Sequence, residues 1–221
     1  MLREQVRLTG AGRTDAGVHA LNFFAHFDTN SEELDKDTKI ISNLNGILPD
    51  EIVVYRIIAV HPLAHARFNA ISRQYLYVIT TKKNPFTINS AYHFYRNLNI
   101  DKMNHAAYIL PEYHDFTSFS KLHADTKTNL CNIMEARWID DGADHLCFLI
   151  TANRFLRNMV RAIVGTMLDI GLEKYPPENI RQIITAMNRN AAGTSAPAQG
   201  LYLAKIKYPA NFFSQLHEEP K

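Results

Sequence analysis

The chain has 221 residues, of which 46% are hydrophobic and 21% charged, a normal balance for a globular protein with a sizeable core. Its formal net charge of +2 is too small to indicate nucleic-acid binding, so any such surface would be built by local clustering of basic residues. The two cysteines exclude a secreted disulfide framework. The sequence has neither a signal-peptide pattern nor an apolar run of membrane-spanning length, which predicts a cytoplasmic protein that does not bind membranes.

Strands and helices are predicted to alternate along the chain. The predicted strands, in chain order, cover residues 20–27, 52–58, 73–79, 132–138, 145–151 and 201–206. The predicted helices cover residues 35–45, 101–110, 155–170 and 177–188, with Gly171 ending the third and Pro177 in the first turn of the fourth. Several strands are close enough in sequence for antiparallel pairing. The sequence therefore predicts an α+β fold in which helices cover one face of a mostly antiparallel sheet.

A loop framed by glycines near the start of the chain carries one carboxylate. Asp15 lies between Gly12 and Gly17, two residues after Arg13. Glycines allow backbone angles that a Cβ atom forbids, and a nearby cation favours the ionised carboxylate, so Asp15 is a candidate nucleophile. From these residues alone, an aspartate that forms a turn or caps a helix is the ordinary alternative.

The predicted helix 155–170 has two different faces. One face is apolar and consists of Leu156, Met159, Val160, Ile163, Val164, Met167 and Ile170. On the other face, Arg154, Arg157 and Arg161 recur at i, i+3 and i+7. A solvated face is the ordinary interpretation, but arginine is also the preferred residue for bidentate phosphate contacts and for partly buried pairs with a carboxylate.

Residues 12–20, with the sequence GRTDAGVHA, closely resemble the active-site signature of the tRNA pseudouridine synthases that modify positions 38, 39 and 40 of the anticodon arm. Further segments resemble this family in the family's own order, at residues 68–77, 115–119, 158–165 and 199–203. The resemblance therefore extends over nearly the whole chain, and its separated motifs make coincidence a poor explanation.

The resemblance implies that the protein converts uridine to pseudouridine after flipping the target nucleotide out of its stack. Asp15 takes the place of the catalytic nucleophile, Arg161 that of the arginine paired with it, and Tyr75 that of the tyrosine that stacks on the base and is implicated in proton transfer at C5. Whether the carboxylate attacks the base or the sugar stays open. This chemistry implies neither a cofactor nor a metal.

The resemblance also implies contacts with the RNA. Arg13 is similar to the arginine that holds the flipped-out geometry, and Leu201 to the leucine that lines the uracil pocket. Lys127 lies where family members often have arginine, so its phosphate contact is expected to be either weaker or only less bidentate. The full set of expected substrate-binding or RNA-binding residues is Arg13, Thr14, Leu201, Arg154, Arg157 and Lys127. A further set of basic residues is scattered through strands and loops, which usually indicates solvated surface: Arg73, Lys82, Lys83, Arg96 and Lys121, together with Lys127. If the chain binds RNA, some of this set would line a groove and contact phosphates.

For the fold, the resemblance implies two ferredoxin-like (RRM-like) lobes with mostly antiparallel sheets that form a central cleft. Residues 1–63 are expected to form the N-terminal lobe with the Asp15 loop, and residues 64–221 the C-terminal lobe that completes the active site. Family members normally have a further strand and helix ahead of the GRTDAGVHA loop. The first lobe is therefore expected to be incomplete at its N-terminus.

As partners, the resemblance implies the anticodon arm of tRNA and a second copy of the chain, since a homodimer of this family grips one tRNA with both subunits. Two alternatives accompany this interpretation: a catalytically impaired tRNA-binding fragment of such an enzyme, and a structural protein whose resemblance is only ancestral. Isomerisation of uridine in unmodified tRNA separates the enzyme from both alternatives. Binding of tRNA without turnover separates the fragment from the structural protein.

Overall fold

The computed structural model describes residue 2 and residues 4–121, 127–142 and 144–213. Its strands, in chain order, are β1 (Thr9–Gly10), β2 (His19–Ala20), β3 (Ala25–His26), β4 (Ser72–Thr80), β5 (Tyr92–His93), β6 (Ile133–Asp140), β7 (His145–Ala152) and β8 (Leu201–Lys207). Its α-helices are α1 (Thr38–Ile47), α2 (Ile100–Ile109), α3 (Met159–Gly171) and α4 (Asn179–Thr185). The chain forms two compact units, of which the smaller comprises Met1–Gly12, Phe24–Ala70 and Tyr208–Lys221, and the larger Arg13–Phe23 and Ile71–Lys207.

The larger unit is built on a six-stranded mixed sheet. Its strands follow the order β2, β8, β4, β7 and β6, and β5 runs parallel to the end of β4. The pairs β8–β4, β4–β7 and β7–β6 are antiparallel, whereas β2 runs parallel to β8. The long strands thus confirm the predicted α+β class with mostly antiparallel pairing.

Helices and the sheet of the larger unit share one core. Every second residue of β7 is buried, as expected for a strand with one covered face. All seven residues of the predicted apolar helix face are buried as well. The indole Nε1 of Trp138 on β6 lies 3.2 Å from the sulfur of Met167 on α3, which joins sheet and helix. This packing holds α3, and with it the residues at its N-terminus, in a defined position.

The third and fourth helices begin later than predicted. Asn158 has a φ of 68°, in the left-handed region that asparagine tolerates better than most residues, and α3 begins directly after it. Arg154 and Arg157 therefore precede the helix, and of the three predicted arginines Arg161 is the one on α3. The last helix is Asn179–Thr185, so Pro177 lies before its first turn. Gly171 ends α3 as predicted.

The smaller unit contains β1 paired antiparallel with β3, together with α1. The side chain of Asp37 caps α1 by accepting a hydrogen bond from the Lys39 N–H at 2.9 Å. The predicted strand 52–58 is wrong. The side-chain amide of Asn45 accepts from the N–H of Val54 at 2.7 Å and donates to its carbonyl oxygen at 2.9 Å, so a side chain satisfies the polar groups that a strand partner would bind.

The predicted strand 20–27 is divided into two short strands in different sheets. β2 pairs with β8, where His19 lies opposite Tyr202, whereas β3 pairs with β1. The pairing with β8 makes Arg13–Phe23, which contain Asp15, part of the larger unit. The division of the chain thus differs from the predicted one, in which residues 1–63 form a lobe with the Asp15 loop.

Candidate active site around Asp15

A segment that leads into β8 lies directly against α3. A Cβ atom on Gly165 would lie 1.7 Å from the carbonyl oxygen of Thr194, so this close approach requires glycine in the helix. The N–H of Gly193 donates to the hydroxyl of Thr166 at 2.9 Å. We call residues 189–197 the strap. It fixes the backbone beside the first turns of α3.

Arg161 is oriented by the strap. Its Nε donates to the carbonyl oxygen of Ala196 at 2.6 Å, and its Nη1 lies 3.5 Å from Oδ2 of Asp15. The side chain of Arg161 is 21% exposed, so most of it is held by surrounding atoms. The Nε of Arg161 thus binds the strap, while its Nη1 faces the carboxylate of Asp15.

Asp15 lies in the loop that precedes β2. Its carbonyl oxygen accepts a hydrogen bond from the N–H of Val18 at 3.1 Å, and Gly17 adopts a φ of 79° that glycine accommodates without strain. The carboxylate is 25% exposed and forms two ion pairs. Oδ1 lies 3.4 Å from Nε of Arg157, and Oδ2 faces Arg161. Each carboxylate oxygen thus has its own cation.

The carboxylate opens into a cavity of about 380 Å³ lined by Asp15, Ala16, Lys121, Arg157, Asn158 and Arg161. The sequence interpretation did not include Asn158, and it named Lys121 only within the scattered basic set of which some residues would line an RNA groove. Asn158 donates to the hydroxyl of Ser195 at 2.6 Å, and Arg189 donates to the same oxygen at 2.9 Å. The N–H of Lys121 donates to the carbonyl oxygen of Arg157 at 3.1 Å. Both residues had a usable signal in the sequence, because Asn158 begins the family-like segment 158–165 and Lys121 lies two residues after the family-like segment 115–119.

Tyr75 on β4 is half-buried and packs edge-on against the ring of Phe155, with 5.1 Å between ring centroids. Burial raises the pKa of Tyr75, the charge of Arg73 lowers it, and the negative charge of Asp15 adds to the increase in pKa. The hydroxyl is therefore protonated at neutral pH. In this environment Tyr75 offers an aromatic ring and a neutral hydroxyl rather than a phenolate.

Several predicted site residues are not part of the cavity lining, namely Tyr75, Arg13, Thr14, Arg154, Leu201 and Lys127. Arg13, Thr14 and Lys127 are exposed. Leu201 is buried and lies opposite Tyr77 of β4 in the sheet. Arg154 lies near the thiol of Cys131. Burial raises the pKa of this thiol to about 11, although the positive charge of Arg154 opposes the increase. The structure thus brings together Asp15, Arg157 and Arg161.

The chemistry of the lining suits an anion better than a metal ion. It offers one carboxylate and three cationic side chains, whereas hard divalent cations require several oxygen ligands. Among the residues that the structure describes, no three His, Cys, Asp or Glu side chains are grouped as a metal site would need. No helix in the same residues is long and apolar enough to cross a membrane.

Comparison with known proteins identifies the family of the chain. The sequence profile of a family described as tRNA pseudouridine synthase matches residues 112–209. A protein of Bacteroides fragilis named tRNA pseudouridine synthase A is 51% identical over 212 residues, which cover 96% of this chain and 84% of that protein. Proteins of the same name from Porphyromonas gingivalis and Bacillus subtilis are 49% and 38% identical, covering 96% and 93% of this chain and 85% and 83% of their own lengths. The chain therefore belongs to the tRNA pseudouridine synthase family.

Proposed function

We propose that this chain converts uridine to pseudouridine in tRNA and that Asp15 is its nucleophile. The observation that carries the proposal is the carboxylate at the edge of a cavity with one arginine at each oxygen. Similarity to relatives named tRNA pseudouridine synthase A supports the reaction and the substrate class. Neither the reaction nor the lining of the cavity calls for an oxidant.

The reaction is an isomerisation in which the overall composition stays the same. The bond between N1 of uracil and C1′ of ribose breaks, a bond between C5 and C1′ forms, C5 loses its proton, and N1 gains one. Asp15 adds covalently to either C1′ of the sugar or C6 of the base and is released at the end. Arg161 keeps the carboxylate oriented and offsets its charge before attack.

The target nucleotide has to leave its stack to reach Asp15. We assign Tyr75 to stacking on the flipped base, because its ring is half-buried beside the charge of Asp15 and its hydroxyl stays protonated. Exposed Arg13 and Thr14, in the same loop as Asp15, are assigned to holding the flipped geometry. Leu201 is assigned to the pocket for uracil on the basis of the family resemblance.

We propose the anticodon arm as the target, at positions 38, 39 and 40, with Arg154, Arg157 and Lys127 as phosphate contacts. The family resemblance supports this choice, as it supports two ferredoxin-like lobes, a homodimer and a cytoplasmic location. The formal net charge of +2 fits a dimer in which two local basic surfaces combine on one tRNA.

The test is release of tritium from unmodified tRNA that carries 5-³H-uridine, because isomerisation replaces the C5–H bond. We expect release by the parent chain and none by Asp15→Asn. Binding of tRNA without release would support the catalytically impaired tRNA-binding alternative. Absence of both binding and release would overturn the proposal.

A further inference from the structure

The cavity beside Asp15 has more positive charge than the carboxylate requires. We propose that Lys121 and Arg157 form a binding site for an RNA backbone phosphate that flanks the target nucleotide, an assignment that rests on the proposed function. The ligand class is a phosphodiester, and the two side chains would hold it while Asp15 faces the nucleoside.

The first argument is the balance of charge. Lys121, Arg157 and Arg161 line the cavity with Asp15 as its one acidic residue, so two positive charges stay uncompensated in the lining. Among the described residues, Lys121 pairs with no carboxylate, and Arg157 pairs with Asp15 alone. Some other cations of the larger unit have acidic partners: Lys82 pairs with Asp144, Lys102 with Glu173, Lys174 with Asp169, and Arg181 with Glu112. An anion from outside the chain would complete the cavity.

The second argument is the difference between the two arginines. Arg161 is 21% exposed and hydrogen-bonded to the strap, whereas Arg157 is 61% exposed. The distances to Asp15, 3.4 Å from Arg157 and 3.5 Å from Arg161, both exceed the roughly 2.7–2.9 Å of a strong charge-assisted hydrogen bond, so distance does not distinguish the two arginines. Arg161 is held in place by its hydrogen bond to the strap. Among the described residues, the exposed side chain of Arg157 binds Asp15 alone, so it can turn to contact a phosphate as well.

The third argument is that the backbone brings the two cations together. The hydrogen bond from the N–H of Lys121 to the carbonyl oxygen of Arg157 makes them neighbours although they lie 36 positions apart in the sequence. Before Lys121, the hydroxyl of buried Ser118 accepts a hydrogen bond from the Asn188 N–H at 2.9 Å. Both side chains thus start from an ordered framework. A guanidinium and an ammonium together suit the tetrahedral oxygens of a phosphate.

The first experiment measures how the affinity for unmodified tRNA depends on salt. The variants are Lys121→Met and Arg157→Gln. The control Lys174→Met removes the same charge beyond the C-terminal end of α3, about 20 Å of helix away. We expect the slope of log affinity against log salt to decrease by about one for each cavity variant, with about fivefold to tenfold weaker binding. Lys174→Met should keep the parent slope, and Lys121→Arg, which keeps the charge, should restore it.

The second experiment locates the phosphate. Two full-length tRNAs are assembled by ligation, one with a neutral methylphosphonate on the 5′ side of the target nucleotide and the other with it on the 3′ side. In each, the ribose that precedes the methylphosphonate carries a 2′-O-methyl group for chemical stability. Neutralising the contacted phosphate should weaken binding by the parent chain about fivefold to tenfold and change binding by Lys121→Met little further. Parent-like salt slopes in both cavity variants, or additive losses at both flanking phosphates, would overturn the phosphate site.

Tritium release by the parent chain keeps this inference separate from the proposed function. If the parent chain releases tritium but the losses from Lys121→Met and from the neutral phosphates are additive, the phosphate site alone is overturned. If the two losses are not additive but no tritium is released, isomerisation is overturned and the phosphate contact remains as part of an RNA-binding surface. Both side chains are exposed, so their substitution should leave the fold intact, and thermal melting of each variant checks this.

Discussion

Arg161 and Ala196 exchange two hydrogen bonds. The side chain of Arg161 donates to the carbonyl oxygen of Ala196 at 2.6 Å, and the N–H of Ala196 donates to the carbonyl oxygen of Arg161 at 2.9 Å. This reciprocal pair joins the strap to the first turn of α3. Since the same guanidinium faces Asp15, the position of the candidate nucleophile's partner is set by the strap.

Asp15→Asn should abolish isomerisation, with a loss of at least about a thousandfold, while tRNA affinity changes little. The amide keeps the shape of the carboxylate but cannot attack as an anion. Tritium release and equilibrium binding provide the two measurements. Asp101→Asn is the control, because Asp101 is an exposed residue in the first turn of α2, and this variant should retain parent activity. Turnover by Asp15→Asn near the parent rate would remove Asp15 from the mechanism.

Arg161→Lys should reduce kcat about 10-fold to 100-fold although the positive charge is kept. Lysine lacks the planar fork that serves Ala196 and Asp15 at once. Steady-state kinetics on unmodified tRNA would measure this, and the loss should appear in kcat more than in KM because Arg161 acts on Asp15. An unchanged kcat would contradict an orienting role for the guanidinium.

Gly165→Ala should destabilise the protein by about 2–4 kcal/mol and reduce its activity. The added Cβ would lie 1.7 Å from the Thr194 carbonyl oxygen, so the strap has to move away from α3. Gly46→Ala is a matched control within α1, because its Cβ would have no neighbour within 4 Å. The control should be neutral or stabilising by up to about 1 kcal/mol. Urea unfolding compares the two, and equal midpoints would contradict the close approach.

Tyr77 should make stability depend on alkaline pH. Its side chain is buried, its hydroxyl donates to the Pro197 carbonyl oxygen at 2.8 Å, and burial raises its pKa above the ordinary value of 10.0. Above that value the unfolded chain loses the tyrosine proton while the folded chain retains it. The free energy of unfolding should therefore fall, by about 1.4 kcal/mol per pH unit for this group, as pH rises beyond 10.

Tyr77→Phe should flatten this alkaline decrease at the cost of about 1–2 kcal/mol at neutral pH, since the Pro197 carbonyl oxygen loses its donor. Tyr55→Phe is the control, because Tyr55 is 77% exposed and should leave the pH profile as it is in the parent. Urea unfolding between pH 7 and pH 11 measures both. Identical slopes in the parent and Tyr77→Phe would show that other groups cause the dependence.

The sequence by itself determined the long elements of the larger unit and the family of the chain. The apolar periodicity of α3 indicates which of its side chains are buried, and the β-branched and aromatic residues of β4 and β7 predict these segments as strands. The motif around Asp15 and the one around Arg161 identified the ion pair that the structure contains. These features are readable because each is encoded in neighbouring residues.

Tertiary structure alone decided the features that depend on specific side-chain contacts outside the local sequence pattern. The side chain of Asn45 replaces a strand partner at Val54, so the apolar segment 52–58 does not form the strand that its composition favours. The start of α3 depends on Asn158, whose left-handed backbone accompanies a hydrogen bond to Ser195. Lys121 joins the cavity through the carbonyl oxygen of Arg157. No local pattern encodes such contacts, because their free energy depends on partners that folding brings together.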